Sequence, residues 1–255
     1  MLTYKTTEDF QKMKKAGEVV SKIHYEIFDK TKEGMTLKNL DGIAKEVVEK
    51  SNVESSFLGY APPGMAPYPA YICASPNDAI VHGIPDDTVI NEGDLISIDV
   101  GVSFQGYHAD AAFTFGVGEI TDENRKLLDV TKHALNQAIN LVEDGQKLGT
   151  IGNKIDKIAT KNNFGNVRDY VGHGIGLEMH EEPQVPHYGK KRTGFELKTG
   201  MAICIEPMFN LGTFETFVDS DGWTVRTVDG KNSAHFEHTI GLTEEGTEVF
   251  TKNLF

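Results

Sequence analysis

The sequence is short of positive charge. Its 255 residues carry 25 Lys and Arg against 38 Asp and Glu, for a net charge of -13 with neutral histidines. The one basic run, Lys190-Lys191-Arg192, reads as a solvated loop, so nucleic acid is excluded as the main partner. Cysteine is scarce too. Cys73 and Cys204 are far apart in the chain, which excludes a disulfide framework and a structural zinc cluster and makes a reducing cytoplasm the expected setting. No stretch approaches the roughly 18 consecutive apolar residues that span a bilayer, so no membrane is expected as partner. Met1 to Phe10 is polar and lacks the apolar segment of a secretory signal. The remaining composition is that of an ordinary globule, long enough for one large domain or two small ones.

The chain in order alternates helices and strands. Thr7 to about Asp29 has Phe10, Met13, Val20, Ile23 and Ile27 on one helical face, with Thr6 or Thr7 as cap. Thr36 opens a second helix with Leu37, Leu40, Ile43, Ala44, Val47 and Val48 inward. Asn52 to Tyr60 reads as a strand. Ala61 to Pro69 is too rich in proline for regular structure. Strand-like Tyr71–Ser75 and Ala79–Val81 precede the alternating Leu95-Ile-Ser-Ile-Asp99-Val-Gly101, and a hairpin over 101–109 returns through Asp110 to Gly116. Thr121 caps a helix to about Val142, and Leu148, Ile151, Ile155, Ile158 and Ala159 mark a fourth. Strands are expected over Met201–Pro207 and near 213–217, 224–228 and 234–241.

The second half echoes the first. Glu33-Gly34 matches Asp144-Gly145, after which Leu37, Ala44 and Val47 fall on Leu148, Ile155 and Ile158. Ile90–Asp99 matches Leu197–Glu206, so Gly93 falls on Gly200 and Asp99 on Glu206. At a third offset Asp110 falls on Glu237, each opening a short run that ends in Gly116 or Gly241. Each half thus brings two carboxylates. Four acids sharing one buried site repel severely without cations. Two divalent ions about 3.5–4 Å apart would neutralise them. An imidazole completing the set favours Mn, Fe, Co or Zn over a thiolate site. Nine histidines compete for that place. His173, between glycines that permit close approach, is the best placed. His24 and His133 fall on predicted helices, His187 carries no distinguishing signal, and His108, His235 and His238 stand near carboxylates as supporting groups.

Asp99 with Asp110, Gly172-His173-Gly174-Ile175-Gly176, Ile205-Glu206-Pro207 and Glu237-His238-Thr239 together resemble the methionine aminopeptidase family, more narrowly its bacterial type I branch. Asn77-Asp-Ala-Ile-Val-His82-Gly-Ile-Pro85 and His180-Glu-Glu-Pro183 match as well, and the resemblance runs over essentially the whole chain. It implies an α/β (α+β) pita-bread fold: one domain over 1–255, with pseudo-repeats of about 1–118 and 119–255 and a curved antiparallel sheet backed by helices. It implies two divalent ions (Co, Mn, Fe, Zn or Ni) held by Asp99, Asp110, His173, Glu206 and Glu237, with Asp99 and Glu237 touching both. His82 and His180 would contact the substrate peptide and the developing oxyanion, and Glu206 would also shuttle the proton. Tyr68, Cys73, Met179 and Trp223, with His82, would line a methionine pocket. Asn77, Ala79 and Ser233 match positions that hold a monovalent cation. The implied substrates are nascent N-termini beginning with Met and a small second residue. The implied protein is a monomer in transient contact with the ribosome.

The sequence departs from the family at three places. The loop Ala61–Pro67 is longer, which bears on the pocket's outer wall and on Tyr60. Met179 replaces a common aromatic residue, and His235 a usual Gln. Proline-directed aminopeptidase P or prolidase would share fold and ligands but usually carries a large N-terminal domain, for which a first helix at about Thr7 leaves no room. A non-catalytic module of this fold lacks the ligands that are all present here. The type II branch is disfavoured by the short segment between His173 and Glu206, and no Cys-rich N-terminal extension is visible.

Overall fold

The structure is a computed structural model and describes residues 2–252; Met1 and 253–255 lie outside the described residues. The first half begins with α1 (Thr7–Lys30) and α2 (Leu37–Lys50). It continues through β1 (Glu54–Ser55), β2 (Cys73–Pro76), β3 (Ala79–Val81), β4 (Leu95–Phe104) and β5 (Tyr107–Gly116). The second half follows the same order with α3 (Asp122–Ile139), α4 (Leu148–Asn162), β6 (Gly165–Asn166), β7 (Gly172–Gly174) and β8 (Glu181–Val185). Then come β9 (Ala202–Ile205), β10 (Met208–Asn210), β11 (Thr216–Val218), β12 (Val225–Thr227), β13 (Ser233–His235), β14 (His238–Thr243) and β15 (Gly246–Val249).

The helices start where hydroxyls can cap them. Thr6 accepts the Asp9 N–H while the Asp9 carboxylate accepts that of Thr6, and Thr36 with Asn39 repeats the device on α2. Thr121 accepts the Asn124 N–H. The helix expected to run to Val142 stops at Ile139. Leu141 and Val142 donate to Ala138 and Ile139, three residues back, so the last turn tightens out of α geometry. Of the strand expected over 52–60 only Glu54–Ser55 forms; Asn52 and Gly59 take positive φ, which ends extended pairing on both sides. β6, β7, β8, β10 and β15 have no counterpart among the expected strands.

Every strand pair is antiparallel. β4 pairs β5 along its full length and closes on Phe104 opposite Tyr107. Gln105 and Gly106 make the turn with φ of 51° and 80°, the left-handed pair that a two-residue hairpin requires. β1 and β2 take the other edge of β4, and the second half has its own ladder in the order β15-β14-β9-β7-β8.

Ile96, Ile98, Val100 and Val102 of β4 are buried in one cluster with Val20, Ile23 and Ile27 of α1 and Phe113 of β5. Burying each such side chain stabilises the fold by about 2 kcal/mol. A one-residue slip would put Asp99 in that core, so these four fix its register.

The two halves pair where β12 joins β3, and they meet again along β5. The Thr239 hydroxyl accepts the Asp110 N–H at 2.9 Å and donates to the Asp110 carbonyl at 2.7 Å. The Thr114 hydroxyl does the same to His235, at 2.8 and 2.9 Å. Between them the Glu237 N–H donates to the Ala112 carbonyl at 2.8 Å. The curved sheet is therefore several ladders, stitched at its centre by two hydroxyls and one main-chain bond.

Candidate metal centre

Asp99 lies mid-strand in β4 opposite Ala112, and Asp110 lies on β5 opposite Gly101, two residues along on the same face. Glu206 and Glu237 stand where strands lapse. β9 ends at Ile205 and β10 resumes at Met208; β13 ends at His235 and β14 resumes at His238. The strands expected over 201–207 and 234–241 are each interrupted here, because Pro207 has no N–H for the ladder. Carboxylate oxygens of Asp99, Asp110 and Glu237 lie within 4.8 Å of one another. Glu206 joins them through His173, whose Nε2 is 3.7 Å from its Oε1.

The five groups open into one cavity of about 300 Å³. Among the described residues no Lys or Arg lines it. Burial, with the neighbouring carboxylates, pushes Asp99, Glu206 and Glu237 well above the usual carboxylic range. Burial raises Asp110 as well, to about 6; hydrogen bonds from Asp99 and the Ala111 backbone partly hold it down. Asp99 Oδ1, Asp110 Oδ1 and Glu237 Oε1 are buried without a hydrogen-bond partner. The Cys204 thiol, on the same face of β9 as Glu206, lies 3.5 Å from Thr239 Oγ1 and within 4.8 Å of ligand atoms of His173 and Glu237.

The histidines divide by what holds their rings. His173 Nδ1 lies 2.9 Å from the Gly174 carbonyl and must donate to it, leaving Nε2 as a bare acceptor toward the acids. Burial drives its pKa down to about 3, so the ring is neutral. His187, which carried no signal in the sequence, is fully buried, and its Nε2 accepts the Glu206 N–H at 3.2 Å. His235 is 1% exposed, has both ring nitrogens unpartnered, and places Nε2 3.8 Å from Glu206 Oε2. His24 packs on Phe113, and His108 bonds Ser56. His238 bonds Thr251, and His133 lies on exposed α3 surface.

The apolar end of the cavity is a buried cluster of Phe57, Tyr68, Cys73, Met179 and Trp223. Tyr68 is fixed by donating to the Gly83 carbonyl at 2.8 Å. His82 takes a left-handed φ of 60°, and its ring stands edge-on to Tyr170 and Trp223. His180 is exposed at the mouth. Tyr60 lies 2.7 Å from its Nδ1, and the His173 ring centre is 4.3 Å away. Phe57 and Tyr170 were not singled out as lining residues by the sequence, and Tyr60 was named only with the longer loop that follows it. Asn77 and Ser233 meet through a 2.9 Å main-chain bond, and Ala79 is buried in β3.

These residues fit divalent cations: an acidic cavity with no basic counter-charge, three orphaned carboxylate oxygens and an imidazole nitrogen freed as acceptor. Comparison with known proteins agrees. The model of metallopeptidase family M24 matches residues 11–244. Methionine aminopeptidase 1 of Bacillus subtilis is 42% identical over 252 residues, covering 99% of this chain and 100% of that one. The crystal structure of methionine aminopeptidase from Thermotoga maritima superposes with a TM-score of 0.95 at 40% identity, covering 99% of this chain and 100% of that one. A prolidase from Pyrococcus furiosus shares the pita-bread fold at a TM-score of 0.78 and 23% identity, over 99% of this chain and 66% of its own. The chain therefore belongs to metallopeptidase family M24 and, within it, to the methionine aminopeptidases.

Proposed function

We propose that this chain removes the initiator methionine from nascent polypeptides whose second residue is small. One observation carries the reading: a metal-ready acid cluster and a pocket lined by Phe57, Tyr68, Cys73, Met179 and Trp223 share one cavity. The polarisable sulfurs of Cys73 and Met179 suit a thioether side chain.

Asp99, Asp110, His173, Glu206 and Glu237 would hold two divalent ions. The oxygen and nitrogen donors suit Mn, Fe, Co, Ni or Zn. Bound ions supply Lewis acidity and a water activated near neutral pH. Glu206, held at its main chain by His187, takes the proton of the attacking water and returns it to the departing amine. With Tyr60 donating to Nδ1, His180 carries its proton on Nε2 and gives a hydrogen bond to the developing oxyanion. His82 holds the peptide from the pocket side. Asn77, Ala79 and Ser233 would seat a monovalent cation that braces β3 against β13.

Nascent chains leaving a cytoplasmic ribosome, met transiently by a monomer, are the natural substrates of such an enzyme. The test is to strip metal with a chelator, restore Mn, Fe, Co, Ni and Zn singly, and assay Met-Ala-Ser beside an X-Pro peptide. Metal-restored release of Met without X-Pro cleavage is expected. Preferential X-Pro cleavage would transfer the chain to the proline-directed reading.

A further inference from the structure

Met179 and His180, the pocket wall and the proposed oxyanion donor, sit on a short loop between β7 and β8. Glu181 gathers that loop. Its Oε1 accepts the N–H groups of Leu177 at 2.8 Å and Glu178 at 3.3 Å. Its Oε2 faces the other way and takes two donors from the start of the chain, Lys5 Nζ at 2.7 Å and Thr3 Oγ1 at 2.6 Å. The Lys5 and Glu181 side chains are 2% and 1% exposed, which makes this a buried ion pair. Lys5 Nζ also donates to the Thr3 carbonyl at 3.2 Å, and the Lys5 N–H donates to the Gly200 carbonyl at 2.6 Å. The segment is thereby tied to the turn that opens β9. Gly176 leaves room for the pair: a Cβ there would stand 2.7 Å from Glu181 Oε1 and 2.8 Å from Lys5 Nζ. All four donors reaching Glu181 are satisfied, and just two residues, Met179 and His180, lie between the clamped amide of Glu178 and Glu181.

We infer that the segment Thr3–Lys5 is a strap that builds the active site, with Lys5 the positioning residue that sets Met179 and His180 through Glu181. It rests on the reading of His180 as a donor to the substrate. Burial pushes the Glu181 carboxyl up, but bonds from Lys5 and Thr3 outweigh that and hold it below its ordinary value. Without Lys5 the carboxylate keeps the loop amides but loses its counter-charge, and an uncompensated buried charge draws in water or shifts the loop. A shift of about 1 Å in a group that meets the transition state costs roughly 100-fold in rate.

The experiment is a double-mutant cycle on the metal-loaded enzyme with Met-Ala-Ser: Lys5→Met, His180→Ala and the pair, each checked for metal content and melting temperature. Lys5→Met should keep its metal, lose about 100-fold in kcat and raise KM. Its kcat should fall almost no further in the His180→Ala background, because both changes remove the same donor, while the KM rise through Met179 stays. If Lys5→Met does not fold, Thr3→Val removes only one donor to Oε2 and carries the same cycle with a loss of about fivefold. Full turnover in the strap variant, or losses that multiply in the pair, would overturn the inference. Should His180→Ala lose turnover while Lys5→Met does not, the strap alone falls. Should His180→Ala keep full turnover, the reading of His180 falls and takes the strap with it.

Discussion

The two halves supply their acids in different registers. In the first half Asp99 pairs with Ala112, and Asp110 sits two residues further along, opposite Gly101. In the second half the ladder runs Cys204–Thr239 and Ile205–His238. One step beyond, Glu206 stands level with Glu237. Aligned by register, Glu237 corresponds to Ala112, and the counterpart of Asp110 is His235. The seam has the same symmetry, since Thr114 clasps the His235 backbone as Thr239 clasps that of Asp110. One half is thus a regular hairpin with two short carboxylates on one face. The other is a broken pair of strands whose longer glutamates reach in from the breaks. The lesson is that two halves can converge on one charge cluster without residue-by-residue equivalence.

The largest effect should come from neutralising one acid of either half. Asp110→Asn and Glu206→Gln are each expected to lose roughly 100- to 1000-fold in turnover, the scale of removing one electrostatic partner of a transition state. The fold should be kept, because neither side chain is part of the apolar core. Metal content and circular dichroism measured beside kcat check this. A hairpin variant that kept full peptide hydrolysis while its broken-strand counterpart lost it would mean that the halves do not share the work.

Much of this was legible in the residues. The alternation around Asp99 gave β4, the Thr caps gave three helix starts, and the Gly93/Gly200 match brought Asp99 and Glu206 to corresponding strand positions. Asp110 and Glu237 were also singled out, but their alignment on each other is off by two. Gly116 and Gly241, which close the two runs, match at the register's spacing, and the acids do not. His187 was invisible because nothing local marks a histidine that accepts a main-chain N–H nineteen residues away. Tyr60 precedes the proline-rich loop, and its partner His180 is 120 residues off. Such pairings are made by packing and leave no periodic signal.

His180→Ala comes next in size, at about 100-fold. Its partner charge develops only during reaction, so kcat should fall more than KM rises. Steady-state kinetics on Met-Ala-Ser decides. Equal turnover would remove the oxyanion role from His180.

Stripping the metal sharpens the comparison through pH. Burial lifts Asp110 to about 6, and burial with the neighbouring carboxylates pushes Asp99, Glu206 and Glu237 well above their ordinary values. A carboxyl raised above its unfolded value near 4 contributes stability fully present below that value and lost as pH rises through the folded one. The metal-free protein should therefore melt progressively lower, by a few degrees, as pH climbs from about 4 through 6. Metal-loaded protein should move oppositely, since cations compete with those protons. Calorimetry across that range tests both. A flat metal-free profile would contradict the shared burial of the four acids.

The smallest effect expected is at His235, and it bears most directly on the register argument. Its ring is sealed from solvent, neutral because burial takes its pKa to about 3, and aimed at Glu206 Oε2 from the place Asp110 holds in the other half. Gln can offer an N–H to the same oxygen but not the ring's volume; Leu fills the volume and offers nothing. If His235 orients Glu206, His235→Gln should cost a few-fold and His235→Leu about tenfold in kcat or metal affinity, the lower end for groups that steady a ligand. If the ring only fills space, Leu should do as well as Gln, and titrating each stripped variant with Mn or Co separates the cases. A loss as large as that of Asp110→Asn would mean that the histidine binds metal itself, and the two halves would then be closer to symmetric than their side chains suggest.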